Sequence, residues 1–288
     1  MHSLVLHNET VKPASSPFLA SGQVGFLNGW GVFSTIRVRN GVLFAYERHW
    51  RRMVHDAALL RVPMPSSPDW LHSQLSKLVD ANQALNATLR LAIVRNKGGM
   101  FEGPGLERPF ELIAFTTGLR TWGKTARLGL VEQGRHAQSP FAGTKVTSWC
   151  QNLAFYETAQ ESGFDEVVLL NERGEVSECT SANIFASFGG NVVTPPLSSG
   201  CLPGITRELL LDSVHADGIT VSEKALKPSD LEAADEVFIT STTRELMPVE
   251  SIQGLKINQQ GLSRTLLGAA FTAFADAYVI LVPANVGY

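Results

Sequence analysis

The first third of the chain combines strand-like and helix-like hydrophobic patterns. "VFSTIRVRNGVLFAYE" holds two apolar segments around Asn40-Gly41, a dipeptide typical of a type I′ hairpin turn. "LVLHNETV" predicts a short strand and its return, and "TLRLAIVR" and "PFELIAFTT" predict two further strands. Helical spacing predicts helices over about 47–60 and, after Ser67-Pro68, to about residue 82.

The alternation of strand-like and helix-like hydrophobic segments is interrupted at "LRTWGKTA", and after it the strands are joined mainly by hairpins. We place a linker at 119–123, between an N-terminal domain (1–118) and a C-terminal domain (124–288). Hairpins are predicted to turn at 171–174 and 189–190, and Ser229 with Glu232 predicts a capping box. Helices are predicted in "QNLAFYETAQESG", in "TRELLLDSVHADG" and near the C-terminus. Because the strands return mainly through hairpins, the pattern favours an α+β fold over a doubly wound parallel sheet.

Composition narrows the function classes. The 288 residues carry a formal net charge of −3 with 18% charged residues, so nothing indicates a nucleic-acid or membrane partner. The three cysteines fit neither a zinc pattern nor a disulfide framework, and no paired histidines occur, so we expect no metal site. No signal-peptide pattern opens the chain, and "AYVILVPANV" is too short to cross a bilayer, so we expect a cytoplasmic protein. The common nucleotide-binding and hydrolase motifs are absent from the sequence.

Lys145 is the only lysine between Lys124 and Lys224, and it lies in "FAGTKVTSWC". A lysine amine is a nucleophile only when neutral, and its ordinary pKa is about 10.4. Desolvation or a nearby cation lowers that pKa, and the amine then condenses with an aldehyde. Taken alone, the pattern fits an ordinary exposed lysine better.

A carboxylate and two segments with hydrogen-bond donors follow Lys145 along the chain. Glu178, in "GEVSECTSANIF", is suited to stabilise a protonated pyridine nitrogen, although by itself it is equally a loop residue. Gly204, Ile205 and Thr206 open a helix, with Thr206 the expected N-cap, and the free N–H groups there favour an anion. "FITSTTREL" places Thr242 and Thr243 at a strand end, where their hydroxyls are possible phosphate donors or a solvated turn.

"ERHWRRM" adds two arginines on the first long helix. Arg51 and Arg52 point about 100° apart around the helix axis, so at most one faces inward. An inward arginine suits bidentate phosphate binding, whereas two outward arginines are simply solvated.

Together these segments resemble one family, the fold-type IV (class IV) pyridoxal-phosphate enzymes. This family includes branched-chain aminotransferases, D-amino-acid aminotransferases and aminodeoxychorismate lyases. The resemblance runs from about Gly31 to Val249. The segments that carry it are "GVFSTIR", "RHWRRM", "GTK", "GFDEVVLL", "VSECTSANIF", "LPGITREL" and "DEVFITSTTRELMPV".

The resemblance implies a role for each matching position. Lys145 matches the lysine that holds pyridoxal 5′-phosphate as an internal aldimine and moves the substrate proton, and Glu178 matches the acid at the pyridine nitrogen. Arg52, three residues after His49, matches the phosphate arginine. Ile205, Thr206 and Thr242 match further phosphate donors. The resemblance also implies an N-terminal two-layer α/β domain, a C-terminal pseudo-barrel domain and a homodimer.

The departures from the family pattern fall where substrate is selected. Ser34 stands where many members carry glutamate, Cys179 where many carry glycine, and Cys150 where branched-chain enzymes often carry tyrosine. Arg37 and Arg90 fall at arginines of the branched-chain pattern. The candidate substrate-binding residues are Phe33, Arg37, Arg90, Arg95 and Thr243, and each arginine is equally a solvent-facing strand residue.

Three functional hypotheses follow. The first is an aminotransferase that acts on a small or branched-chain amino acid, with a 2-oxo acid as acceptor. The second is aminodeoxychorismate lyase, which uses the same lysine to form 4-aminobenzoate and pyruvate. The third is a binding or structural protein without cofactor, which the presence of both Lys145 and Glu178 disfavours.

Overall fold

The structure, a computed structural model, describes residues 1–16, 20, 22–100, 103 and 106–281. The chain divides into two compact units. The first consists of residues 1–120, Lys145–Trp149 and the segment from Asp276 onward, and the second of Thr121–Thr144 and Cys150–Ala275. The domain boundaries expected at 119–123 stay a prediction.

The first unit is built on a six-stranded sheet in which all the strand pairs are antiparallel. The order across the sheet is β2-β1-β6-β5-β3-β4. The strands are β1 Leu4–His7, β2 Thr10–Pro13, β3 Gly31–Arg39, β4 Val42–Leu43, β5 Ala87–Arg95 and β6 Phe110–Thr117.

Helices α2 Tyr46–Leu59 and α3 Pro68–Ala81 cover one face of this sheet. The short helix α1 Val24–Asn28 precedes β3. Ser67 caps α3 by accepting the Trp70 N–H at 3.1 Å, and Pro68 takes the first helical position, as the sequence predicts. The apolar residues of α2 and α3 form one core with alternate residues of β3 and β5, including Ile36 and Leu89.

The turn between β3 and β4 confirms the predicted type I′ hairpin. Asn40 and Gly41 have φ values of 48° and 83°, the left-handed conformation that this turn requires at both central positions. Asparagine and glycine tolerate that conformation better than other residues do, so the dipeptide fixes the two-residue connection.

The second unit is built on an eight-stranded mixed sheet with the order β12-β11-β10-β13-β14-β7-β8-β9. The predicted hairpins β8–β9 and β10–β11 are antiparallel neighbours, which confirms the α+β class. The structure adds a third hairpin, β13–β14, that was not predicted. The strands are β7 Ala126–Val131, β8 Glu166–Leu170, β9 Val176–Cys179, β10 Asn183–Phe188, β11 Asn191–Thr194, β12 Thr220–Glu223, β13 Glu236–Ser241 and β14 Glu245–Ile252.

This sheet must curl, because β9 lies at one edge while β10 lies five strand positions away. In a flat sheet those two strands would be about 24 Å apart. The connection from Cys179 to Asn183 spans at most about 14 Å. The Cys179 N–H donates to the Ala182 carbonyl at 2.8 Å, so this corner is tight. The fold class therefore agrees with the predicted pseudo-barrel.

The helices of the second unit correct two predictions. They are α4 Cys150–Glu161, α5 Ile205–Asp212, α6 Pro228–Ala233 and the first part of α7 Ser263–Leu281. Thr206 is not the N-cap of α5, because Gly204 has the extended cap conformation and Ile205 is already helical. The predicted capping box of α6 is also wrong. Proline is pre-organised for the first helical position, so the helix starts at Pro228, and Asp230 accepts the Lys227 N–H at 2.8 Å.

Two helices differ in length from their predictions. Helix α5 ends at Asp212 rather than near Gly218, because the Val214 N–H turns back to the Leu209 carbonyl at 2.8 Å and Val214 is buried. Helix α7 has 19 residues and is, in the described part of the chain, the one helix long and apolar enough to cross a membrane. The core helices of globular proteins also meet that criterion. In α7, Leu267, Phe271 and Ala275 are buried at helical spacing.

Candidate functional site

Lys145 lies in a short extended segment whose backbone is held on both sides. Its N–H donates to Asp56 Oδ2 at 3.0 Å, and its carbonyl accepts the Phe33 N–H at 3.0 Å. The next residue, Val146, forms an antiparallel bridge with Val32 of β3. The lysine backbone is therefore fixed against β3 and α2 within the first unit.

The Lys145 amine lies over an aromatic ring. Its Nζ is 4.6 Å from the centroid of the Phe33 ring, which is itself 2% exposed. Arg90 Cζ lies 4.0 Å from the same centroid, and Trp149 packs edge-on against Phe33 at 6.1 Å. Two cations therefore flank one ring, a combination that favours a ligand with both an anionic and an apolar part.

Strand register places three of the predicted substrate residues, Phe33, Arg37 and Arg90, on one face of the first sheet. Phe33, Thr35 and Arg37 alternate along β3, and Arg90 of β5 pairs directly with Thr35. Burial lowers the pKa of Arg90 from its ordinary value, although a guanidinium stays charged. Arg90 therefore lies close to Lys145 across the Phe33 ring, and Arg37 lies further along the same face of the sheet.

Arg95 lies elsewhere. It follows Leu91 and Ile93, so it is on the core side of β5, opposite to Arg90. Its Nε donates to the Lys97 carbonyl and its Nη1 to the Arg61 carbonyl at 2.7 Å. The structure does not bring Arg95 together with Lys145.

Arg52 faces inward from α2, and it is 8% exposed whereas Arg51 is exposed. Its Nη2 donates to Ser34 Oγ at 3.0 Å, and Ser34 Oγ lies 2.7 Å from His49 Nδ1. Burial, helped by the charges of Arg52 and Lys145, holds the pKa of His49 well below its ordinary value. His49 is therefore neutral near pH 7, and Arg52 and Lys145 both act on it electrostatically.

Asp56 completes the group on α2. Burial raises the pKa of Asp56, although the Lys145 N–H, the His55 side chain and the Arg52 charge each oppose that rise. Sequence analysis did not select Asp56, His49 or Ser34. The signal available was helical spacing, which places His49, Arg52 and Asp56 on one face of α2.

In the second unit, Glu178 is 7% exposed and held at both carboxylate oxygens. Arg135 Nε and Nη2 both lie 3.1 Å from Oε1, and the Leu202 N–H donates to Oε2 at 3.0 Å. Arg135 Nη1 also donates to Asn152 Oδ1 at 3.1 Å. This arrangement fixes the orientation of the carboxylate. Sequence analysis missed Arg135, because no motif marks it.

The N-terminus of α5 is open to an anion. Its N-cap Gly204 has no side chain to accept the first-turn N–H groups of Ile205 and Thr206, and both of these residues are buried. A Cβ on Gly204 would lie 2.0 Å from Asn183 Oδ1, so only glycine fits there. Leu202, which contacts Glu178, leads directly into this turn.

Thr242 and Thr243 lie in the turn between β13 and β14. The Trp122 indole N–H donates to the Thr243 carbonyl at 3.0 Å. The next residue, Arg244, donates to Glu166 Oε2 at 3.2 Å and stacks on Trp122, with Cζ 3.9 Å from the ring centroid. A buried ion pair therefore holds this turn, and sequence analysis did not identify it.

The three cysteines differ in environment. Cys150 is exposed, whereas Cys179 and Cys201 are buried. Burial raises the pKa of Cys179 well above its ordinary value and that of Cys201 to about 12, so both stay protonated thiols. Among the described residues, no group of three or more His, Cys, Asp or Glu side chains is placed to hold a metal ion.

Comparison with known sequences gives a family match and curated relatives. The profile of the family "Amino-transferase class IV" matches residues 31–252. A D-alanine aminotransferase from Bacillus licheniformis is 32% identical over 237 residues, which cover 81% of this chain and 82% of the relative. A putative branched-chain-amino-acid aminotransferase from Methanocaldococcus jannaschii is 30% identical over 245 residues, covering 82% and 83%.

Solved structures give the same fold. The branched-chain amino acid aminotransferase of Escherichia coli has a TM-score of 0.86 at 24% identity, covering 96% of this chain and 95% of that one. The T.th. branched-chain enzyme, solved with pyridoxamine 5′-phosphate, has a TM-score of 0.85 at 24% identity, with 96% and 95% covered. A putative 4-amino-4-deoxychorismate lyase from Legionella pneumophila has a TM-score of 0.77 at 23% identity, covering 94% and 96%. At these identities the likeness establishes the fold.

Proposed function

Because this chain belongs to the class IV aminotransferase family, we propose that it uses pyridoxal 5′-phosphate to move an amino group between a small or branched-chain amino acid and a 2-oxo acid. Lys145 is the residue that binds the cofactor's aldehyde and moves the substrate proton. The relatives named for D-alanine and for branched-chain amino acids support this substrate range.

The observation that carries the proposal is the fixed position of Lys145. Hydrogen bonds from the Phe33 N–H and to Asp56 hold its backbone, so the amine projects from a defined point. An exposed lysine without a role needs no such support. An amine on a fixed backbone suits a group that both binds an aldehyde and shuttles a proton.

The side chains present fit a phosphate group. Arg52 is an inward-facing guanidinium, and the uncapped first turn of α5 offers the N–H groups of Ile205 and Thr206. The hydroxyls of Thr206 and Thr242 are further candidate donors. Gly204 allows the close approach of Asn183 that shapes this turn. All the groups proposed to contact the phosphate donate, as the binding of a phosphate requires.

Glu178 fits the other end of the cofactor. Its carboxylate is held by Arg135 at Oε1 and by the Leu202 N–H at Oε2, and Oε2 keeps a second lone pair that can accept from a protonated ring nitrogen. When bound, pyridoxal 5′-phosphate supplies an electron sink for the electrons left at the substrate α-carbon. Glu178 supports that chemistry by stabilising the positive charge on the ring.

The remaining steps belong to residues of the first unit. Lys145 Nζ takes the proton from the α-carbon of the amino acid and returns a proton later as the acid. Arg90 binds the substrate carboxylate, with Arg37 beside it on the same face of the sheet. The Phe33 ring contacts the apolar side chain of the substrate and excludes water from it. We assign no substrate role to Arg95, because its guanidinium is bound to backbone carbonyls.

Borohydride reduction and peptide mapping test the proposal. We expect a single pyridoxyl adduct, on Lys145, in protein incubated with pyridoxal 5′-phosphate. Lys145→Ala should lose the adduct and turnover, whereas Lys124→Ala, a change of an exposed lysine, should keep both. An adduct at another lysine, or full turnover in Lys145→Ala, contradicts the mechanism.

A half-reaction identifies the reaction class and the substrate. An aminotransferase given an amino acid alone converts its cofactor to the pyridoxamine form, which changes the absorbance. A panel that includes both enantiomers of alanine, valine and leucine would show substrate class and handedness. Pyruvate release from aminodeoxychorismate without any half-reaction would assign the lyase instead.

Assembly and compartment belong to the same proposal. We infer a homodimer from the family resemblance, and a light-scattering mass of one chain at working concentration would exclude it. We infer a cytoplasmic location because the three cysteines are free thiols, as in proteins of reducing compartments. Fractionation of cells that produce a tagged chain tests that location.

A further inference from the structure

Ser34 lies at the centre of a buried polar group on the core side of β3. It alternates with Val32 and Ile36, which belong to the core, yet it carries a hydroxyl and is fully buried. That hydroxyl contacts two side chains of α2, His49 at 2.7 Å and Arg52 at 3.0 Å. A polar residue inside an apolar layer is costly unless it is hydrogen-bonded, so these contacts explain how it is tolerated.

The chemistry of the three groups sets the direction of the hydrogen bonds. A guanidinium only donates, so Ser34 Oγ accepts from Arg52 Nη2. The hydroxyl proton then needs an acceptor, and the unprotonated Nδ1 of a neutral His49 provides one. In that tautomer the hydrogen bonds run from Arg52 through Ser34 to His49, and the ring proton is on Nε2, a buried nitrogen without a hydrogen-bond partner among the described residues.

This contact restrains Arg52 without neutralising it. A free arginine side chain has about 2 kcal/mol of rotamer entropy, which it loses when it binds a ligand. Ser34 holds one Nη atom before the ligand binds, so the arginine side chain loses less conformational freedom on binding. Since a hydroxyl is neutral, its contact does not cancel the guanidinium charge that attracts an anion.

We propose that Ser34 is a positioning residue that orients Arg52 toward the phosphate of the cofactor. The inference rests on the proposed function, in which Arg52 binds that phosphate. Ser34 itself touches neither the substrate nor the reacting atoms. Its effect is therefore specific to ligands that carry a phosphate, because other parts of the cofactor do not contact Arg52.

Pyridoxal 5′-phosphate and pyridoxal, which lacks the phosphate, are the probes that separate positioning from general stability. Dissociation constants for both are measured by absorbance titration in wild type, Ser34→Ala and Ser34→Thr. The matched control is Ser187→Ala. Ser187 is also a buried strand serine with a hydroxyl partner, Ser263, at 2.7 Å, and it belongs to the second unit.

We expect Ser34→Ala to bind pyridoxal 5′-phosphate about 10- to 150-fold more weakly, the change that corresponds to losing one hydrogen bond to a charged group. Its affinity for pyridoxal should stay at the wild-type value. Ser34→Thr keeps the hydroxyl and should restore most of the phosphate preference, and Ser187→Ala should change neither constant. If Ser34→Ala does not fold, Ser34→Cys, which keeps the volume with a weaker acceptor, should show a smaller loss of the same kind.

Equal losses for the two ligands, or no loss for either, overturn the inference and leave the proposed function intact. Failure of the wild-type protein to bind pyridoxal 5′-phosphate overturns both. If wild type binds pyridoxal 5′-phosphate and Ser34→Ala keeps the wild-type ratio of affinities for pyridoxal 5′-phosphate and pyridoxal, only the role of Ser34 is overturned.

Discussion

Replacing Arg135 with methionine removes the side-chain partner of the Glu178 carboxylate in the proposed site. Arg135 Nε and Nη2 both lie 3.1 Å from Glu178 Oε1, and the two side chains are 18% and 9% exposed. After the change, the Leu202 N–H remains as a donor to Oε2. Methionine keeps the apolar stem, so the change removes mainly the charge and its hydrogen bonds.

The size of the effect follows from burial. Removing one partner of a fully buried ion pair costs about 3–5 kcal/mol, whereas exposed pairs contribute about 0.2–1 kcal/mol. Arg135 is partly exposed and Glu178 keeps one donor, so we expect a loss of about 2 kcal/mol. For a unit of this size that corresponds to a fall of about 4–8 °C in Tm. The carboxylate also loses its fixed orientation, so kcat should fall while KM for the amino acid changes little.

The assay compares two arginines of the second unit. Arg127 lies 3.5 Å from Asp165, and both side chains are about half exposed, so Arg127→Met should lower Tm by at most about half as much. Thermal unfolding of the apoproteins by circular dichroism gives both values. Equal shifts in Arg135→Met and Arg127→Met, or unchanged kcat in Arg135→Met, would refute the reasoning.

Two further predictions concern the first unit. Arg90→Ala should raise KM for amino acids about 10- to 100-fold with unchanged cofactor affinity, while Arg95→Ala should leave KM unchanged. Steady-state kinetics measure both, and the same KM in the two variants would contradict the assignment. Because the pKa of His49 is lowered from its ordinary 6.5, the unfolded chain binds a proton below that pH and the folded chain does not. The free energy of unfolding should therefore decrease as pH falls below 6.5, by up to about 1.4 kcal/mol per pH unit. His49→Gln should make this dependence weaker when unfolding is measured from pH 7.5 to 5.5.

The elements that local chemistry specifies were predicted well. Asn40-Gly41 and Ser67-Pro68 each determine a backbone conformation through their own covalent structure, so the turn and the helix start needed no tertiary information. The start of α5 did need it. The N-cap position takes a glycine because Asn183, from a distant strand, leaves no room for a Cβ, and no local pattern reveals that contact.

The candidate site was predicted unevenly for the same reason. The resemblance located Lys145, Glu178 and Arg52, which stand in recognisable motifs. The residues that hold them were missed, because each acts across a long stretch of chain: Asp56 is 89 positions from Lys145, and Arg135 is 43 from Glu178. Helical spacing alone would have joined His49 to Arg52, but Ser34 enters from a strand.

We propose that the face of the first sheet, rather than the residues proposed to bind the cofactor, selects the substrate. Relatives with almost the same identity to this chain are named for D-alanine and for branched-chain amino acids. Such substrates differ in the size of the side chain and in the placement of the carboxylate. In this chain Arg90 lies beside the Phe33 ring, so one group could bind the carboxylate and the other could contact the side chain. Changes at Thr35 and Arg37, which share that face, should accordingly alter substrate preference before they alter cofactor binding.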